Sequence, residues 1–170
     1  GLRQYLGVRR KLEQGKREEA HSFRQHLSRT SERLHSLRSN ASKSSSISEY
    51  VRAATALEVY AAEARGMVAW SGDASERGVA RSWFTSAIGK QQRPSLLMPP
   101  VVVSPMELRL AEYYEQAGEN NRAAEFYQQA LLRRPNDLKA LKGYQQALLR
   151  IGRKEAALQT GEIIKQVEGH

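Results

Sequence analysis

The C-terminal part of the chain matches itself at an offset of 34 residues, and this feature narrows the possible folds more than any other. Gly118 recurs as Gly152 and Ala123 as Ala157, and the match lapses by Leu131 and Lys165. Each glycine lies between two apolar patterns of helical period. The first pattern holds Leu108, Ala111, Tyr114 and Ala117, then Ala123, Phe126, Tyr127, Ala130 and Leu131 beyond the turn. The second holds Leu141, Tyr144, Leu148 and Ile151, then Ala157, Leu158, Ile163 and Ile164. A helical hairpin of this length cannot bury its apolar face alone, so such units stack on their neighbours.

Leu110, Ala111, Tyr114, Gly118, Ala123, Tyr127, Ala130 and Pro135 stand at the signature positions of the tetratricopeptide repeat family, and the stretch resembles that family. The small Ala111, Ala123 and Ala130 allow two helices to approach, and the tyrosines fill the space between them. Gly118 suits a left-handed helix end, and Pro135 stops the second helix. Glu107 stands where the family carries a large aromatic residue. In the second unit Gln145 and Gly161 replace a small and an aromatic residue, a departure expected of a terminal repeat.

Start signals accompany these runs. Ser104, Pro105 and Glu107 read as a capping box with a first-turn proline, and Asp73 with Glu76 and Ser46 with Glu49 have the same reciprocal spacing. Residues 47–70 carry Tyr50, Ala54, Leu57, Ala61, Ala64 and Val68 along one side; Ser71, Gly72 and Asp73 turn the chain; Ala80, Phe84 and Ala87 follow. We read 47–90 as an irregular helix pair of the same kind, with a longer turn. At the N-terminal end Leu2, Leu6 and Leu12 precede Gly15. Ala20, Phe23, Leu27, Thr30, Leu34 and Leu37 then form a heptad-like seam, suited to a coiled-coil partner or to packing against the third helix.

The expected fold is therefore all-α, a right-handed α-solenoid of about four antiparallel helix pairs. Residues 1–40 form an irregular N-terminal pair, 47–90 a second pair, and 105–168 two tandem repeat units. Ser39 to Ser46 is a polar linker, and 91–104 is an apolar, proline-rich loop containing Leu96, Leu97, Met98 and Val101 to Val103. This loop is expected either to pack over its own helices or to offer a docking patch. Over roughly 47–160 the layout is similar to that of some bacterial tetratricopeptide proteins, with an apolar insertion before a regular pair of repeats.

Composition excludes several functions. There is no cysteine among the 170 residues, which removes thiol catalysis, thiolate zinc sites and disulfides. His21, His26 and His35 are not at the four-residue spacing of metal ligands on one helix face, and no phosphate loop or nucleophile elbow occurs. No enzyme activity, metal or cofactor is expected. No apolar run is long enough to span a bilayer. The chain opens on Gly1, as at a processing or cloning boundary, so a signal peptide or upstream domain could precede it, and a cytoplasmic or a periplasmic location is compatible.

The net charge of +9 is uneven: residues 1–52 hold 12 Lys or Arg against 5 Asp or Glu, whereas residues 101–170 hold 10 against 9. Arg9, Arg10, Lys11, Arg17 and Arg24 would mark a site for RNA or another polyanion if they share one continuous face; otherwise they belong to a solvated helix surface. Trp70, Trp83 and Phe84 lie on apolar stripes and read as core.

The resemblance implies a non-enzymatic protein-interaction module whose concave groove, lined by the first helix of each pair, holds a peptide or partner protein. The family's groove positions fall on Leu108, Glu112 and Glu115 in the first clear repeat. In the second they fall on Lys139, Lys142, Gln146, Leu149 and Arg150, with Gln146 where one asparagine of the family's carboxylate clamp would stand. The cations either hold a partner's carboxylates, or Glu112 and Glu115 neutralise Lys142 and Arg150 across the groove. Two further readings stay open: a polyanion-binding helical protein using residues 1–52, and an oligomerisation segment of a longer chain using the heptad seam.

Overall fold

The computed structural model describes residues 1–40, 47–91 and 104–169, with side chains described outside 38–40 and 47–49. The Ser46 cap, most of the Ser-rich linker and the apolar residues 92–103 lie outside the described residues. Eight helices and no strand occur among the described residues: α1 Leu2–Glu13, α2 Arg17–Asn40, α3 Ile47–Trp70, α4 Ala74–Lys90, α5 Met106–Gln116, α6 Asn120–Arg133, α7 Leu138–Arg150 and α8 Lys154–Glu168. They fall into two compact units, Gly1–Val103 and Ser104–His170, each holding two helix pairs. The expected all-α class is what the chain adopts.

Three of the four hairpin turns share one construction. Gly15, Gly118 and Gly152 have φ of 71°, 77° and 79°, a conformation that costs glycine little. The amide after each glycine reaches five residues back, Lys16 to Lys11, Glu119 to Tyr114 and Arg153 to Leu148, at 2.8–2.9 Å. This closes a Schellman motif and satisfies carbonyls that a helix end leaves open. The α3–α4 turn is different. Asp73 caps α4 by accepting from the Glu76 amide at 3.0 Å, and Glu76 accepts back from the Asp73 amide at 3.2 Å, the capping box expected from the sequence.

In the first unit α3 is the central helix. It packs on α1, α2 and α4, and buries Ala54, Val59, Tyr60, Ala61, Ala62, Ala64 and Val68 on more than one side. A helix apolar around most of its circumference belongs in a core. Phe84 of α4 is fully buried and lies against Gly66, where an added Cβ would sit 2.5 Å from the ring; Trp70 meets Phe84 edge-on at 5.8 Å. The expectation for α2 holds in one form: it packs against α3 as well as α1, with Ala20 and Leu27 fully buried.

The N-terminal helix corrects the expected stripe. Leu2 and Leu6 are exposed, while Tyr5 and Val8 face the core. Tyr5 stacks near Tyr60 at 4.4 Å between centroids, and its hydroxyl donates to the fully buried Glu63 at 2.8 Å. A tyrosine with a buried acceptor lies on the inward face, and Leu2 and Leu6, roughly 60° and 100° further round the helix, are turned outward.

In the second unit the repeat stripes pack largely as expected, with Leu108, Ala111, Tyr114, Ala123, Tyr127, Ala130, Leu141, Leu148 and Ala157 buried. Leu158 and Ile163 are corrections: both are exposed, and α8 packs inward through Ala157, Thr160 and Ile164. Gln145 and Gly161, which depart from the family pattern, fit each other. The Gln145 amide occupies the space a Cβ at 161 would need, 2.7 Å away, and donates to the Ala157 carbonyl at 3.2 Å. The capping box at Ser104 does not form. Pro105 is the N-cap of α5, which places Glu107 at the second rather than the third helical position, out of register for the reciprocal bond. Glu107 is instead buried and accepts from Arg133 Nε of α6 at 2.5 Å. An unforeseen cap starts α7, where Asp137 accepts from the Ala140 amide at 3.1 Å.

Candidate partner-binding groove

Helices α5 and α7, the first helices of the two units of the C-terminal pair of repeats, lie against each other and present the charged positions singled out by the sequence. Successive turns of each helix bring residues three and four apart onto one face. Glu112 and Glu115 therefore share the side of α5 that meets α7. Glu112 accepts from Arg109 at 3.1 Å within α5 and pairs with Lys139 of α7 at 2.5 Å. Glu115 uses both oxygens: Oε2 accepts from the Tyr127 hydroxyl at 2.6 Å, and Oε1 accepts from Arg150 Nη1 at 2.8 Å.

The neutralisation is thus real, with a different pairing from the expected one. Arg150 does meet Glu115, but Lys142 turns to Glu168 of α8 at 2.6 Å and Lys139 takes Glu112. Leu108 differs from its expected place on the groove surface: it is 2% exposed and packs in the core. Gln146 and Leu149 are exposed beside this row, Leu149 to 54%. Tyr127, which the sequence marked only as packing, supplies the hydrogen bond that orients Glu115. Burial and that bond both hold its hydroxyl well above the ordinary tyrosine range.

The five N-terminal cations do not line one pocket. Arg10 and Lys11 line a recess of about 540 Å³ with Leu2, Leu6 and Phe23. Arg17 and Arg24 line a different pocket of about 350 Å³ between α2, α3 and α4, and Arg9 lines neither. Two are internally balanced. Lys11 pairs with Glu19 at 2.5 Å and Arg17 with Glu76 at 2.5 Å, and in each case the hydrogen bond from the cation holds the carboxyl below its usual range. Arg24 has no such partner among the described residues. Burial, and then the nearby charge of Arg65, disfavour its cation. Arg65 and Trp83 were not signalled as a pair: they lie 18 positions apart on two helices, and only the fold sets the Arg65 guanidinium 4.7 Å from the Trp83 ring centre. Trp83 is accordingly half-buried rather than core. Among the described residues no group of three or more histidines or acids is arranged to hold a metal ion, and no helix is long and apolar enough to cross a membrane.

Helix pairs of this length, closed by left-handed glycines and packed through alanines and tyrosines, define a tetratricopeptide-like fold. The crystal structure of MamA, a protein containing such repeats, is similar, with a TM-score of 0.51 at 16% sequence identity, covering 95% of this chain and 94% of that one. At that identity the likeness is one of fold. No protein-family model matches the sequence, and the comparison with curated proteins gives no match.

Proposed function

We propose that the chain is a non-enzymatic interaction module that binds a peptide or a partner protein across the α5–α7 face. The supporting observation is the row of exchangeable ion pairs on that face, with the exposed Leu149 beside it. The Arg150–Glu115 pair is partly open to solvent, with side chains 46% and 23% exposed, and such pairs contribute at most about 1 kcal/mol. A partner carboxylate can therefore replace Glu115 on Arg150, or Glu168 on Lys142, at small cost. Leu149, next to Arg150 in the chain, adds an exposed apolar contact. The paired state of Lys11 and Arg17 favours this reading over a polyanion site spread along residues 1–52.

The test is affinity capture on the immobilised chain, in parallel with a Lys142→Glu/Arg150→Glu double variant that keeps its helical circular dichroism. Partners retained by the unmodified chain and released by the variant support the groove. An identical set of retained proteins removes it.

A further inference from the structure

The pocket between α2, α3 and α4 holds two guanidinium groups, those of Arg24 and Arg65, that no carboxylate among the described residues pairs with. Arg24 makes no ion pair or hydrogen bond among the described residues, and its Nε is enclosed and unpartnered. Arg65 has only a long contact to the Ser28 hydroxyl at 3.4 Å, and it stacks on Trp83. The neighbouring Arg17 is already matched by Glu76. Burial, and then the like charge of Arg65 beside it, leaves the Arg24 cation without compensation unless something negative enters. Stacking on an indole holds a guanidinium in place and leaves its in-plane N–H groups able to donate, the arrangement suited to a planar carboxylate.

The walls narrow the choice of anion. Val79 and the Trp83 ring give the pocket an apolar side, and its volume of about 350 Å³ is enough for one or two side chains. Glu76 also lines the pocket, so a dianion meets more repulsion there than a monoanion. A phosphate would bring two charges and no apolar surface; a carboxylate on an aliphatic stem brings one charge and fills the wall.

We infer that this pocket is a recognition site for a peptide carboxylate flanked by an apolar side chain, the carboxylate held between Arg24 and Arg65 and the apolar group against Val79 and Trp83. The site lies wholly within the first unit and does not rest on the α5–α7 groove, so either can fail without the other. The carboxylate can come from an acidic side chain or from a chain terminus.

Calorimetric titration of the full chain decides it, with four probes: acetyl-Leu-Glu-amide, acetyl-Gly-Leu with a free carboxyl terminus, the neutral acetyl-Leu-Gln-amide, and inorganic phosphate. The expected result is saturable binding of at least one carboxylate peptide, with the neutral peptide and phosphate weaker by about tenfold or more. Which carboxylate peptide binds identifies the source. Arg24→Gln and Arg65→Gln should each weaken that peptide about tenfold, while Arg81→Gln, on the exposed surface of α4, should leave it unchanged. Arg24→Gln removes one of two repelling charges and should not lower the melting temperature, and the peptide should raise it for the unmodified chain and Arg81→Gln more than for Arg24→Gln or Arg65→Gln. If Arg24→Gln does not fold, Arg24→Lys carries the same test, since it keeps the charge and loses the fork. Equal binding of the neutral peptide or of phosphate, unaltered affinity in both arginine variants, or no binding by about 10 mM overturns the inference.

Discussion

Oε2 of Glu115 accepts the Tyr127 hydroxyl at 2.6 Å while Oε1 of the same carboxylate accepts Arg150 at 2.8 Å, so a core tyrosine of α6 holds the acid that meets the α7 cation. Tyr127→Phe should lower stability at neutral pH by about 1 kcal/mol, the net value of one such bond, read by urea unfolding. The pH dependence has a definite sign. The hydroxyl's folded pKa is raised by burial and by Glu115, so its stabilising effect is complete below the unfolded value of 10.0 and is lost as pH rises above it. The unmodified chain should therefore lose more stability than Tyr127→Phe above about pH 10, and ultraviolet titration should show one phenol that resists ionisation while the chain stays folded.

Gly143 and Gly78 should respond to alanine in opposite directions. A Cβ at 143 would lie 2.2 Å from Cζ of Tyr127, so Gly143→Ala forces α6 and α7 apart and should cost about 1–3 kcal/mol. Gly78 lies on the exposed face of α4 with nothing within 4 Å, and Gly78→Ala should stabilise by about 0.5–1 kcal/mol through helix propensity alone. Melting temperatures that move in the same direction for both would contradict this packing.

Tyr5 and Glu63 form a buried pair 58 residues apart that ties α1 to α3. Tyr5→Phe removes one donor and should cost about 1 kcal/mol. Glu63→Ala leaves the hydroxyl without its acceptor and opens a cavity, and should cost about 2–4 kcal/mol. Glu63→Gln retains a carbonyl acceptor and should fall below both. Chemical denaturation of the three variants gives the ranking directly.

Arg17 holds the Glu76 carboxyl below its ordinary value of 4.5, chiefly through its hydrogen bond. Because the folded pKa is depressed, this contribution is present above about pH 4.5 and disappears as pH falls through the folded value. Arg17→Gln should raise the Glu76 titration midpoint measured by NMR toward 4.5, and an unchanged midpoint would show that the pair does not persist in solution. Asp73→Ala, which removes the cap beneath it, should destabilise α4 by about 1 kcal/mol.

Much of the architecture was legible in the residues themselves. Helical period, the glycine offset and the Asp73–Glu76 spacing are local signals, because they act through backbone geometry within one or two turns, and they located helices α3 to α8 and the left-handed turns at Gly118 and Gly152. What the chain alone left open is the rotation of a helix about its axis where two stripes compete. In α1 the leucines are as apolar as Tyr5 and Val8, and only the acceptor offered by Glu63 from α3 decides which pair is buried. The same holds for Glu107, whose spacing suggested a cap and whose partner proved to be Arg133 on the next helix.

The charged sites divide in the same way. The residues on α5 and α7 could be named from their repeat positions, since periodicity assigns a face. Their pairing could not, because Lys139, Lys142 and Arg150 each had several acids within reach of a flexible side chain, and the choice depends on the register of α5, α7 and α8. In the sequence Arg24 stood among the candidate cations and Trp83 among the core aromatics, but nothing there joined them to Arg65. These three residues come from three helices, and an unbalanced pair of charges exists only once packing has brought them together and kept their counterions out.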